Sequence, residues 1–216
     1  MTRSLEPELM DAPDLPDAIL LERFHRDLER IHQLLGNYRT IERFLRNDPQ
    51  PIRRVMDIGC GGGELLRRLR DRMGVDVVGV DPRPCAPPDI PVVAADAVTA
   101  LLPKADVAIC TMLNHHLTPE QNIALIRNVS RSVRRFIILD LIRNPLPLTL
   151  FSVFLSPLVG HEAAADGRQS IRRAFTPKEF ADLAHTALLG IDATFTVDVP
   201  LFRSRQVLDI RFRPAA

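Results

Sequence analysis

Ten residues, Val55-Met56-Asp57-Ile58-Gly59-Cys60-Gly61-Gly62-Gly63-Glu64, constrain this chain more than any other stretch. An apolar run ends in a glycine cluster, and the residues after it, Glu64 to Met73, repeat apolar positions at helical spacing. The reading is a short strand, a tight turn and a helix. Glycines in such a turn adopt positive φ and let the backbone approach a ligand closely. The helix start behind them offers unpaired N–H groups and the positive end of the helix dipole.

The pattern then alternates. Asp76 to Val80 reads as a second strand, Pro91 to Ala95 as a third, Asp106 to Thr111 as a fourth and Phe136 to Leu141 as a fifth. A helix is predicted from Pro119 to about Ser132 between the last two. Apolar strands separated by helices indicate βαβ units and a parallel sheet covered on both faces. The tail adds a helix, Pro177 to Ala187, and two strands, Thr194 to Val199 and Gln206 to Phe212, spaced as a hairpin at the sheet edge. Ahead of the sheet, Leu20, Leu21, Phe24, Leu28, Ile31, Leu34 and Leu35 recur at helical spacing. Gly36-Asn37 stops that helix, and a shorter one follows from Arg39 to Leu45. The predicted fold is therefore α/β, a doubly wound, mostly parallel sheet with an N-terminal helical cap (1–50) and a C-terminal β-hairpin. The main domain is 51–216, with an insertion at about 143–175.

Composition narrows the function. The chain has 216 residues, and 28 basic against 27 acidic side chains give a formal charge of +1. That balance argues against holding nucleic acid by bulk electrostatics. Cys60, Cys85 and Cys110 lie too far apart for a compact metal knuckle, and no metal is expected; three cysteines suit a reducing cytoplasm. Met1 to Pro16 is acidic and proline-punctuated, without a signal pattern. The longest apolar stretch, Leu146 to Val159, falls short of the roughly 18–20 residues of a membrane-spanning helix.

The glycine turn admits two ligand patterns. In the dinucleotide fingerprint Gly-x-Gly-x-x-Gly the third glycine would fall at Glu64. The other pattern, acid-x-Gly-x-Gly-x-Gly, is filled by Asp57, Gly59, Gly61 and Gly63. On these residues the chain resembles the class I S-adenosylmethionine-dependent methyltransferases, over about Arg53 to Leu141. The resemblance implies S-adenosylmethionine as cofactor and S-adenosylhomocysteine as product. It places Asp57, Gly59, Cys60, Gly61 and Gly63 in the cofactor loop, with Asp57 orienting the loop or holding the methionine ammonium through water. Asp81, before Pro82 at the end of the second strand, would accept from the ribose hydroxyls, the logic that sets an acid about 20 residues on in dinucleotide folds. Asp96 and Ala97 would take the adenine. Read without the resemblance, Asp81-Pro82 is turn chemistry and Asp96 is a helix cap.

After the fourth strand, Thr111-Met112-Leu113-Asn114-His115-His116-Leu117 is the segment that lines the transfer channel in that family. Met112 would touch the cofactor and Asn114 the acceptor. His115 or His116 is a candidate to remove the acceptor's proton, and the sequence does not choose between them; the alternative is that one or both merely pack or hydrogen-bond to backbone near a strand end. The motifs of amino methylation of bases and of cytosine-C5 chemistry are absent from the positions that would carry them. The insertion reads as an apolar lid, a lipid-facing or partner-facing surface through 146–159, or ordinary core. Its Arg172 and Arg173 are candidates for an acidic group on the substrate, or solvated surface. The expectation is a cytoplasmic bacterial enzyme that methylates an apolar small molecule, resembling quinone-pathway and polyketide-tailoring methyltransferases, at a phenolic or enolic oxygen. The alternatives are an RNA methyltransferase and a non-catalytic S-adenosylmethionine-binding protein.

Overall fold

A computed structural model describes residues 1–11, 18–200 and 204–213. Two helices come first, α1 (Ala18–Leu34) and α2 (Asn37–Arg46). The alternating domain follows: β1 (Arg54–Ile58), α3 (Glu64–Met73), β2 (Asp76–Asp81), β3 (Val92–Ala94), β4 (Val107–Thr111), α4 (Pro119–Val129) and β5 (Arg135–Leu141). The insertion contains α5 (Pro145–Leu150), a π turn over Phe151–Leu155 and α6 (His161–Arg173). The chain continues through α7 (Pro177–Ala187), β6 (Ala193–Asp198) and β7 (Arg205–Phe212).

The seven strands form one sheet in the order β3-β2-β1-β4-β5-β7-β6. β1 to β5 run parallel, whereas β7 is antiparallel to both β5 and β6, so the C-terminal hairpin closes one edge with β6 outermost. Strand order reverses between β1 and β4. A doubly wound sheet opens a crevice at that switch point, beyond the carboxyl ends of the two strands.

Alternation along the strands explains the two cores. Met56, Ile58, Ala108, Cys110, Phe136 and Ile138 face α4 and α7, where Leu125, Ile126, Phe180 and Ala184 are fully covered. Val55, Val107, Ile109, Ile137 and Leu139 face α2 and α3, against Ile41, Leu45, Leu66 and Leu69. Asp57, between Val55 and Ile58, projects on the α3 side and is the one acid within β1. The helices α4 and α7 both begin in a capping box, Thr118 with Gln121 and Thr176 with Glu179, each behind a proline at the first turn.

The apolar half of the insertion, 146–159, is not part of the sheet core. Phe151 packs onto Gly167 of α6, where a Cβ would collide with its ring. Leu146, Val153, Phe154 and Leu158 stay exposed. No described helix is long and apolar enough to cross a membrane.

Candidate active site

The crevice at the switch point contains two cavities. One, of about 340 Å³, is bounded by the β2 and β3 ends and includes Asp81, Pro82, Asp96, Ala97 and Leu117. The other, of about 300 Å³, lies under α1, α2 and α6 and includes Leu28, Tyr38, Asp57, His115 and Phe151. Gly59, Gly61, Met112 and His116 line both.

The turn after β1 is built as the glycines require. Gly59 and Gly61 have φ of 72° and 50°. A Cβ at Gly59 would meet the Leu113 side chain at 2.9 Å, while one at Gly61 would project into open space. The Gly61 N–H is donated to Asp81 Oδ2 (2.9 Å), and the Arg83 N–H to Asp81 Oδ1 (2.8 Å), so the second strand's acid pins the first strand's loop. Cys60 contributes backbone to the turn; its buried side chain rests against Gly79 of β2. Gly63 starts α3 outside both cavities. Asp96 accepts from the Val98 N–H (2.9 Å) in a local turn, and its exposed carboxylate lines the first cavity. Met112 holds φ of 58°, the left-handed region that a non-glycine residue enters at a cost, where the two cavities meet.

Asp57 is 4% exposed, and burial, with Asp81 and Glu64 nearby, pushes its carboxyl well above the usual range. A carboxyl raised in the folded state stabilises that state while it is protonated. The contribution is lost as pH rises through the folded value. Asp57→Asn is therefore expected to melt higher than the parent at pH 8, by about 0.5–2 kcal/mol, the range typical of removing such a liability. The gap should close toward pH 4. Melting curves of the ligand-free protein check this, and an unchanged or lower Tm at pH 8 overturns it.

Both histidines are oriented by acids. His115 is 2% exposed and places Nδ1 2.6 Å from Asp140 Oδ1, at the end of β5. His116 places Nδ1 2.8 Å from Asp11 Oδ1. The rings lie 4.3 Å apart, and each Nε2 stands 3.8 Å from a carboxylate oxygen of Glu8. An imidazole that gives its Nδ1 proton to a carboxylate keeps a lone pair on Nε2.

Glu8 and Asp11 come from an N-terminal arm that lies across α6. Arg3 donates to the carbonyls of Arg173 (2.6 Å), His115 (3.1 Å) and Leu117 (2.9 Å), and its guanidinium stacks on Phe175. Ser4 N–H reaches Arg172 O at 3.0 Å. Burial pushes the Glu8 carboxyl up to about 7. The sequence reading missed both acids. Their only signal was an acid-rich leader, which solvated termini share.

Three expected acceptor contacts do not match their placement. Asn114 is fully buried and lines neither cavity: it donates to Asn122 Oδ1 (2.6 Å) and accepts from the Cys110 thiol (3.2 Å). Arg173 is 8% exposed and its guanidinium is taken by Asp11 and by His116 O (3.0 Å). Arg172 is exposed on the far side of α6 from the cavities, bound through its carbonyl to the arm. Polar partners inside the chain consume two of these side chains, and solvent takes the third.

The doubly wound sheet, the glycine turn and an acid at the end of β2 together define a class I S-adenosylmethionine-dependent methyltransferase. A methyltransferase-domain family model matches residues 24–146, more than half of the chain, and the chain belongs to that family. By sequence, no curated protein matches it. Solved structures share the fold. The plantazolicin methyltransferase BamL, with a triazolic desmethylPZN analog and SAH, is 16% identical at a TM-score of 0.69, covering 87% of this chain and 90% of that one. The plantazolicin methyltransferase BpumL with SAH is 14% identical at 0.68, covering 92% of each. Human N-acetylserotonin methyltransferase with SAM is 18% identical at 0.52, covering 74% of this chain and 48% of that one.

Proposed function

We propose that this methyltransferase binds S-adenosylmethionine across the first cavity and the glycine turn, and methylates a phenolic or enolic oxygen of an apolar small molecule held in the second. The observation that carries the reading is the junction of the two cavities at Gly59, Gly61, Met112 and His116. The residues present fit the cofactor. Asp81 keeps lone pairs for two ribose hydroxyls, Asp96 and the Ala97 N–H suit an adenine edge, and the open face at Gly61 admits a chain. Asp57 and Glu64 suit an ammonium group. When bound, the cofactor supplies an already activated methyl group on sulfur.

What remains for the protein is positioning, exclusion of water and removal of one proton. The described part of 1–50 serves as the cap: Leu28, Ile31, Leu35 and Tyr38 wall the second cavity. His115, held by Asp140, takes the acceptor's proton on Nε2, and His116, held by Asp11, is the second candidate at the junction. The exposed apolar face at 146–159 supports delivery of a greasy acceptor from a membrane surface. Cysteine usage supports a cytoplasmic setting.

Methyl-labelled S-adenosylmethionine, incubated with the protein and a cell extract, should put label into the organic-soluble fraction. Label in RNA or protein would overturn the acceptor class. With the product identified, His115→Ala or His116→Ala should lower kcat roughly 10²-fold or more while leaving S-adenosylhomocysteine affinity within a few-fold. Unchanged turnover in both variants removes the base role.

A further inference from the structure

The second cavity offers acceptors that no described residue hydrogen-bonds. Glu8 Oε1, Thr111 Oγ1 and Asp166 Oδ2 are buried without a partner, and all three residues line it. Glu8 is 6% and Asp166 7% exposed. Each carboxylate has its other oxygen occupied: Ser170 Oγ donates to Glu8 Oε2 (2.6 Å), and the Leu9 N–H to Asp166 Oδ1 (3.0 Å). These bonds interlock, because Ser170 stands one helical turn from Asp166 and Leu9 follows Glu8. The two free oxygens therefore belong to neighbouring points on the arm and α6, while Asp57 and Glu64 line the same cavity from β1 and the start of α3.

Charge points the same way. No lysine or arginine is among the described lining residues. The guanidinium that approaches Glu8, that of Arg173, brings Nη1 to 3.6 Å from Glu8 Oε1 and is held by Asp11. Leu28, Ile31, Leu35, Leu141, Phe151 and Ile171 supply an apolar wall. An unpaired buried acceptor costs about 1–3 kcal/mol, more when charged, so the occupant must bring donors. An ammonium brings three, matching the three free acceptors.

We infer that the acceptor is an amphipathic amine, whose protonated nitrogen docks on Glu8 and Asp166 beside Thr111 while its apolar body lies along the cap. The inference rests on the reading of this cavity as the acceptor site, and it assigns the handle by which the acceptor is held, not the methylated atom.

The test is calorimetry at pH 8 on protein saturated with S-adenosylhomocysteine, using 3-phenylpropylamine and 3-phenylpropan-1-ol as probes of equal shape. The amine should bind roughly 30-fold tighter or more. Asp166→Asn and Glu8→Gln, both isosteric, should each weaken the amine roughly 10-fold and leave the alcohol and S-adenosylhomocysteine within a few-fold. Equal affinity for the two probes, no binding of the amine at millimolar concentration, or an amine affinity unmoved by either variant overturns the inference. Failure to bind S-adenosylhomocysteine at all would instead sink the methyltransferase reading beneath it. The ligand atoms of Glu8, His115 and His116 all lie within 4.8 Å of one another. One equivalent of divalent metal on the purified protein, lost in Glu8→Gln, would therefore also overturn the inference, by giving that oxygen to a metal ion.

Discussion

Asp81→Ala should lower affinity for S-adenosylhomocysteine roughly 10²–10³-fold, measured by titration calorimetry. Two effects combine. Charge-assisted hydrogen bonds contribute about 1.5–3 kcal/mol each, and a carboxylate that receives two ribose hydroxyls supplies two of them. The same carboxylate accepts the Gly61 and Arg83 N–H groups, so its removal also frees the turn that shapes the cavity. Asp81→Asn separates the contributions. It keeps one acceptor oxygen at the position but loses the charge, and its affinity should fall between parent and Asp81→Ala. An Asp81→Ala protein that binds within a few-fold of the parent would show that the ribose lies elsewhere. The melting temperature of each variant without ligand distinguishes a lost contact from a lost fold.

The glycine turn was legible because its demands are local. Left-handed backbone at Gly59, Gly61 and Gly63 can be read from residue type, and the strand before it from an apolar run. Asp81 and Asp96 were visible as acids at strand ends, since a parallel sheet brings those ends to one side. The helix from Pro177 to Ala187 was legible to the residue because a capping box and a proline mark its start. Partners were not legible. Nothing in the order of residues joins Asp140 to His115, 25 positions earlier; β4 and β5 pairing does that. Arg173 read as a contact for an acidic group on the substrate or as solvated surface, and it is spent on Asp11, 162 positions away. Glu8 belongs to an arm without the periodicity of a helix or a strand. Such a segment is fixed only by what it lies on, here α6 and the turn after β4.

Breaking the buried ion pair at the opposite end of the sheet should cost stability and leave the site alone. Arg135 opens β5 at 2% exposure, with Nε and Nη2 both 2.7 Å from Asp209 of β7, and Nη1 on Asp48 (2.8 Å) and Phe44 O (2.9 Å). The cluster ties the end of α2 to the hairpin. Asp48 is shared with Arg134, at 2.9 and 3.1 Å, so it cannot also replace Asp209. Removing one partner of a buried pair costs about 3–5 kcal/mol, and without Asp209 the buried Arg135 keeps only the single Asp48 carboxylate that it shares with Arg134. Asp209→Ala should accordingly lower Tm by roughly 6–20 °C for a chain of this size. Affinity for S-adenosylhomocysteine, measured well below the new Tm, should remain within a few-fold of the parent. The reason is topological: residues at the amino end of β5 share no hydrogen bond with the turn after β1 or the segment after β4. A large loss of affinity in the folded variant would show that the two ends of the sheet are coupled. A loss of less than about 1 kcal/mol would mean that solvent reaches Arg135 and screens it. The contrast with Asp57→Asn is the stronger form of the claim. One acid removed at the carboxyl end of the sheet should raise stability, and one removed at the amino end should lower it, because only the second has a cation to leave behind.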